Sequence, residues 1–247
     1  MHVKEMHIAF KQYVYKNNTN ANLNFKKEVI DWYLNVAYRS MILTKYSPNK
    51  KFGIESFEQS ERRKQDLDKL VKYTTITDKV SGVHSNGVYF TLPSDFWFAI
   101  EEGVKLSFVD NCDGQSKTVD AEEVKVTTHD RYRKSLINSF KKPNQRRAYR
   151  IAADGKHEII TGTDITATNY FVAYIKKPLI LINDIADYTK SLYNISSSLG
   201  MGDFVTTPEV SEHLHEEIVL QAVALVDGRI NHEQVQYDER ELLKTLK

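Results

Sequence analysis

The residue types best suited to chemistry gather in PEVSEHLHEEIVLQAVALV, Pro208 to Val226, where His213 and His215 stand near Glu212, Glu216 and Glu217. A zinc hydrolase of the His-Glu-x-x-His kind needs two imidazoles one helical turn apart, so that both reach one metal. Here His215-Glu216 is followed by Glu217, Ile218 and Val219. His213 and His215 are two residues apart, which on a helix separates them by about 200°. They share a metal only from an extended segment. The other reading is a helix entry. Pro208-Glu209 is a start signal, Ser211 is a second candidate cap, and the glutamates suit the positive end of the dipole. Eight of the nine residues from Ile218 to Val226 are apolar, which predicts a helix over Val210–Val226 buried nearly all round. His213 and His215 are then candidates for contacts with a neighbouring subunit.

Other constellations give less. In DNCDGQS an EF-hand count back from Gly114 places Val109, Asn111 and Asp113 at loop positions one, three and five, and the first cannot ligate calcium. No phosphate-binding glycine loop, dinucleotide fingerprint or Gly-x-Ser-x-Gly elbow occurs. The single cysteine, Cys112, excludes an internal disulfide and a cysteine-based zinc site. No metal, cofactor or catalytic residue is expected. One segment stands out electrostatically. RYRKSLINSFKKPNQRRAYR, Arg131 to Arg150, carries eight basic residues (Arg131, Arg133, Lys134, Lys141, Lys142, Arg146, Arg147 and Arg150) and no acidic one. Tyr132, Phe140 and Tyr149 are interleaved, as on surfaces that combine phosphate contacts with base stacking. A solvated basic face or docking to an acidic protein patch fits the same residues.

The elements that must position these residues change character along the chain. Val3, Met6, Phe10, Tyr13 and Val14 follow one helix face, and the helix should end in NNTNANLN. A second helix is expected from after Asn24 to about Tyr46, with Phe25, Val29, Trp32, Val36 and Leu43 leading its buried face and Ile30, Tyr33 and Ala37 beside it. SPNKKFG breaks it. A third, highly charged helix follows in IESFEQSERRKQDLDKLVKY, with Phe57, Leu67, Leu70 and Val71 toward the core. From about Thr74 short β-branched and aromatic runs take over: GVYFTLP, VKLSFVD, EEVKVTT, RRAYRIAAD, KHEIITG and NYFVAYIKKPLILI. DNCDGQS and AADGKH read as hairpin turns, and HDRYRKSLINSF as a helix between strands.

The fold class is therefore α+β. A helical bundle built from the terminal segments, 1–73 and 208–247, holds an inserted antiparallel β-rich domain, sandwich- or barrel-like, over 74–182; residues 183–207 read as an extended loop or arm. The final HEQVQYDERELLKTLK is amphipathic. The formal net charge of +1 excludes a general polyanion binder, so any electrostatic role comes from local clustering. The opening MHVKEMHIAFKQYVYKNN is neither a signal peptide nor an anchor, and no apolar run approaches the roughly 20 residues of a membrane helix. Asn17 and Asn194 match the glycosylation pattern but have no secretory signal beside them. A protein made in a cytoplasm, with no membrane partner, is expected.

Taken in order, several stretches resemble a family of virion proteins from crAss-like short-tailed bacteriophages, the ring or adaptor proteins of the head-to-tail junction. MHVKEMHIAFKQ and EVIDWYLNVAYRSMI are similar to the family's two N-terminal helices, and FEQSERRKQDLDKLV to its charged third helix. FTLPSDF, HDRYRKSLINSFKKP and YFVAYIKKPLIL resemble its β-domain landmarks, and LHEEIVLQAVALVDGRI its closing helix. The likeness covers nearly the whole chain, departing at NNTNANLN and within Asn183–Thr207. It implies a structural, non-enzymatic virion protein synthesised in the bacterial host cytoplasm. It also implies a ring of identical copies, twelvefold, linking portal to tail around the DNA channel. The implied partners are further copies, the portal, other tail and ring proteins, and non-specific contact with packaged DNA. The alternative function is a nucleic-acid-binding module using segment 131–150.

Overall fold

The computed structural model describes residues 1–17, 25–46, 61–110, 114–121, 123–183 and 204–228. The chain divides into two compact units, Met1–Leu70 with Pro178–Lys247, and Val71–Lys177. The architecture is α+β, as the sequence predicts.

In the first unit α1 runs over Val3–Asn17 and buries Val3, Met6, Phe10 and Val14, the three- and four-residue spacing of one face. The α2 helix spans Lys27–Tyr46. Its buried face is not the one led by Val29, Trp32 and Leu43, which are 38%, 53% and 42% exposed. Ile30, Tyr33, Leu34, Ala37, Tyr38, Met41 and Ile42 are inside instead. Two apolar stripes share this helix, so period alone does not choose between them. Polar anchors choose. Asn35 lies beside the buried stripe, donates through Nδ2 to the Leu181 carbonyl at 2.8 Å, and accepts from Leu181 N at 2.8 Å. Tyr38 lies on the same side, and its hydroxyl oxygen accepts from Glu209 N at 3.0 Å. Asp31, also buried, meets His7 Nε2 at 2.6 Å. The returning chain is thus held on this face of α2.

The third helix, α3, covers only Glu61–Leu67, continues as a 3-10 turn to Leu70, and gives way to strand β1 (Val71–Ile76). Leu67 and Leu70 are buried as expected. Val71 belongs to the strand, which corrects the expected helix boundary: β-branched Val71, Thr74, Thr75 and Ile76 favour pairing with a neighbouring strand over another helical turn. Phe57, SPNKKFG, all of NNTNANLN after Asn17, and HEQVQYDERELLKTLK lie outside the described residues. So do 184–203 of the expected arm; beyond them Phe204–Val205 (β11) pair in parallel with Ile180–Leu181 (β10). The closing helix, α5, occupies 214–228, four residues later than the expected start. Ser211 does not cap it; its hydroxyl donates to the Gln65 carbonyl at 2.6 Å. Nor is α5 buried all round. Ile218, Val219, Ala222, Val223 and Val226 are inside, whereas Leu220 and Leu225 are 47% and 42% exposed.

The second unit is a two-sheet sandwich. One sheet has the order β1-β9-β4-β5, with β4 at Phe96–Val109, β5 at Ser116–Asp120 and β9 at Ile165–Lys176. The other has the order β2-β3-β8-β7-β6, over Lys79–Ser81, Gly87–Thr91, Lys156–Ile160, Arg147–Ala153 and Glu123–Val126. Pairing is antiparallel except between β6 and β7, which run parallel because α4 (His129–Ile137) and a 3-10 turn (Ser139–Lys141) cross over between them. The β7–β8 hairpin turns on Asp154 and Gly155, both at positive φ (48° and 68°), as Asp-Gly turns require. Phe90, Val104, Leu106, Ala148, Ile159, Tyr170 and Val172 fill the space between the sheets.

A polar network crosses that apolar core. Glu102 on β4 meets Arg150 on β7 through Nη2 at 2.9 Å and Nε at 3.2 Å, with both side chains largely buried. Tyr170 on β9 donates to Glu102 at 3.0 Å, and His157 on β8 lies 2.8 Å from the Tyr170 hydroxyl. With the Tyr170 proton directed at Glu102, His157 Nδ1 is the donor to the hydroxyl oxygen. Burial first, and the Arg150 charge second, lower the His157 pKa to about 4. On the other face of β8, fully buried Glu158 accepts from His84 N at 2.8 Å and lies 3.0 Å from His84 Nδ1. Gly82 and Gly87 make room for it, since a Cβ on either would stand within 2.4 Å of Glu158 Oε1.

Two outcomes are expected. Arg150→Met strands a buried carboxylate and should cost about 3–5 kcal/mol, whereas the double variant Glu102→Gln/Arg150→Met should recover much of that loss. Denaturation followed through Trp97 in a Trp32→Phe background measures both, and equal stability of the single and double variants would contradict the assignment. The second concerns pH. Folded His157, with its pKa near 4 against 6.5 unfolded, declines a proton that the unfolded chain accepts. Stability is therefore complete above about pH 6.5 and falls, on the order of 2–3 kcal/mol, as pH drops toward 4. His215 is lowered too, by burial and then by the N-terminal ammonium, and acts in the same direction. The slope over this window should be shallower in His157→Gln; an unchanged slope would remove His157 from the explanation.

Candidate functional site

Segment 131–150 folds as a crossover on the outer face of the five-stranded sheet. Tyr132 of α4 packs with Tyr149 and Ile151 of β7 and Ile160 of β8, the residues whose strand alternation turns them away from the inter-sheet core. Ser135 closes the underside, donating to the Tyr132 carbonyl at 2.6 Å. The chain then bends through the 3-10 turn. Asn138 accepts from Phe140 N at 3.0 Å, Arg147 Nη1 donates to the Phe140 carbonyl at 3.1 Å, and the Tyr149 hydroxyl donates to the Lys141 carbonyl. Asn144 Oδ1 accepts from Arg146 N at 2.9 Å and Arg147 N at 3.0 Å, which fixes the entry to β7.

The eight cations separate into two groups. Arg150 is inside the sandwich, paired with Glu102. Arg147 is partly exposed and held by Glu123 of β6 at 2.7 Å, which together with the pair's attraction raises its pKa. Arg131, Arg133, Lys134, Lys141, Lys142 and Arg146 are exposed. Among the described residues no ion pair neutralises Arg131, Arg133, Lys134, Lys141 or Lys142. Of the interleaved aromatics, Tyr132 and Tyr149 are buried and unavailable for stacking, whereas Phe140 is 91% exposed. Beside it Ile137 is 86% exposed. Phe140 is the one interleaved aromatic that stays available, and Ile137 is an exposed apolar residue that the sequence pattern does not mark. In a helix pattern Ile137 reads as a core residue, and only the fold reveals that the helix ends there.

The two histidines near α5 are engaged within the chain. His213 Nε2 lies 2.7 Å from Asp66 Oδ1. Asp66 is buried on α3 and also takes Lys45 of α2 at 3.4 Å, while Lys45 reaches Glu217 at the same distance. His215 is buried, with Nδ1 2.8 Å from the Met1 nitrogen. Glu216 accepts from the Tyr13 hydroxyl at 2.9 Å. The acid–imidazole collection of the opening stretch thus ties the start of α5 to α1, α2 and α3. Side chains that read as potential metal ligands have protein partners here, and among the described residues no three His, Cys, Asp or Glu side chains gather to hold a metal. Among the described residues, too, no helix is long and apolar enough to cross a membrane.

Comparison with known proteins bears out the resemblance read from the sequence. The pattern of the phage tail ring protein 3/4 family matches residues 1–236. Ring protein 3 of Bacteroides phage crAss001 is 28% identical over 160 residues, 63% of this chain and 67% of that protein. The family match over residues 1–236 takes in α1 to α5, both sheets and the 131–150 crossover. The chain belongs to the phage tail ring protein 3/4 family.

Proposed function

We propose that this protein is a structural component of a phage particle. It forms a closed, twelvefold ring of identical copies at the head-to-tail junction, where the ring links the portal to the tail and surrounds the DNA channel. Family membership across residues 1–236 carries this reading. The physical features agree with it. A net charge of +1 over 247 residues hides strong local clustering, and complementary local charge sets register between subunits. Carboxylates and imidazoles near α5 are occupied in holding helices together, so the roles assigned here need no catalytic group. In this reading the subunit is made in the host cytoplasm and acts in the virion, with the portal, other tail proteins and packaged DNA as neighbours.

A second reading uses the same crossover to bind nucleic acid. Arg133, Lys134, Lys141 and Lys142 are exposed around an exposed Phe140, a combination suited to phosphate contacts and base stacking.

A cryo-electron-microscopy map of purified particles tests the first reading. Twelve copies between portal and tail are expected, and absence of the chain from particles would sink it. The second predicts single-strand binding that weakens with salt, by a slope of about −0.7 per phosphate contacted. Reversing Arg133, Lys141 and Lys142 should abolish that binding. If binding survives the reversal, the crossover is not a nucleic-acid surface.

A further inference from the structure

We propose that the tip of the α4 crossover is the knob of a head-to-tail contact between copies of this chain, received by the outer face of the four-stranded sheet on the next copy. The proposal rests on the ring reading and names the surfaces that close the ring.

The knob is apolar, exposed and hydrogen-bonded into place. Ile137 and Phe140 project at 86% and 91% exposure, and Leu136 beside them is 40% exposed. Their backbone is pinned by Asn138, Arg147 and Tyr149, so a partner meets a preformed shape and little conformational entropy is lost on docking. Arg133 and Lys134 stand one helical turn before Ile137, Lys141 and Lys142 follow Phe140 directly, and all four are exposed. Contact with nucleic acid would use these cations and stack on Phe140, but it would leave the aliphatic Leu136 and Ile137 without a partner.

The socket lies on the opposite side of the same unit. Strand alternation sends Val104, Leu106, Tyr170 and Val172 into the core, and sends Glu101, Gly103, Phe171 and Ala173 to the outside. Register sets Tyr73 beside Ala173 and Thr75 beside Phe171, while Gly103 faces Phe171 from the other flank. The small Ala173 side chain beside Tyr73, and the absence of any side chain at Gly103 on the far flank of Phe171, help to leave a depression of about 480 Å³, with room for an aromatic ring. Glu101 and Asp120 line it, and among the described residues neither has an ion pair. Lys105, also in the lining, lies 5.9 Å from the Phe171 ring centre and leaves the two carboxylates in excess.

Cationic apolar knob and acidic apolar socket complement one another, whereas two knobs would bring like charges together. Because α4 covers one sheet and the socket lies on the other, the two surfaces face away from each other across the sandwich. That is the arrangement a heterologous contact needs, and repeated heterologous contacts generate rings when the rotation closes.

Cysteine cross-linking in particles tests the contact. In a Cys112→Ser background, phage carrying Phe140→Cys with Tyr73→Cys are oxidised and their proteins separated without reductant. A ladder extending beyond the dimer is expected, because each copy offers one knob and one socket. Incorporated chain that yields only dimers, or no cross-links, overturns the proposal. Charge exchange gives an independent measure. Lys141→Glu/Lys142→Glu and Glu101→Lys/Asp120→Lys should each lower incorporation by about tenfold or more, and their combination should restore it to within about threefold. Failure to restore overturns the pairing. Phe140→Asp, at a fully projecting position, should leave thermal unfolding unchanged while blocking incorporation. Normal incorporation of that variant with loss of single-strand binding would make the tip a nucleic-acid surface and overturn the proposal. Absence of the wild-type chain from particles would instead remove the ring reading itself, a separate result.

Discussion

The β unit depends on one buried ion pair. Its two sheets could pack on apolar side chains alone, but such packing tolerates sliding, because dispersion and the hydrophobic effect have little direction. Glu102 and Arg150 supply direction. Two hydrogen bonds from one guanidinium to one carboxylate fix β7 over β4, and Tyr170 and His157 extend the constraint to β9 and β8. All four side chains must sit at inward positions of their strands, so the pair also fixes register: a slip of one residue would turn Arg150 outward and Tyr149 inward. A buried pair of this kind adds little net stability compared with apolar substitutes, since desolvation offsets the attraction. Its contribution is to make one alignment of the sheets much better than its neighbours.

The same logic governs the helical unit. Its segments come from two ends of the sequence, so closing it carries the entropy of a long loop, moderated by the logarithmic growth of that cost with length. Directional contacts mark where the return must land. Asn35 treats Leu181 as a strand would, giving it both a donor and an acceptor. Tyr38 receives Glu209 N, Val3 N reaches the Thr206 carbonyl at 2.8 Å, and buried Asp66 gathers His213 and Lys45. Each contact joins residues far apart in sequence, and each satisfies a polar group that burial would otherwise leave costly.

That dependence on distant partners explains which features were legible in the sequence. Local signals read correctly: the Asp154-Gly155 turn, the Val3/Met6/Phe10/Val14 face, strands β3, β6, β7 and β8, and the helix between β6 and β7, whereas β5 and the first half of β4 carry no such signal. Choices between equally apolar alternatives did not. Val29, Trp32 and Leu43 make as good a stripe as Ile30, Tyr33 and Ala37, and only the polar anchors Asn35 and Tyr38 select between them. The boundary at Val71 was hidden because its β9 partner lies a hundred residues away, Val71 facing Ile175. At α5 a run of aliphatics suggested burial on every side, yet a helix at the edge of a bundle leaves Leu220 and Leu225 outside.

The basic segment carries the sharpest form of this lesson. Eight cations in one stretch look like one surface, but clustering along a chain becomes clustering in space only where the backbone keeps side chains on one side. β7 alternates, so it sends Arg150 to Glu102 in the core and Tyr149 to the opposite face. Arg147 is drawn to Glu123, a residue whose strand pairs with β7 only because the crossover brings it back in parallel. These two arginines hold the platform together, and Arg147 does so twice, since it also fixes the Phe140 carbonyl. What remains outward is a smaller cationic collar around Ile137 and Phe140. Exposing those two side chains forgoes about 1.5–3 kcal/mol of burial each, and scattered apolar residues on a surface need no explanation. A pair raised on a backbone held by an arginine, a tyrosine and an asparagine is a different matter. Backbone hydrogen bonds from those three residues place this unburied apolar shape at a defined position on the unit, as a surface complementary to it would require.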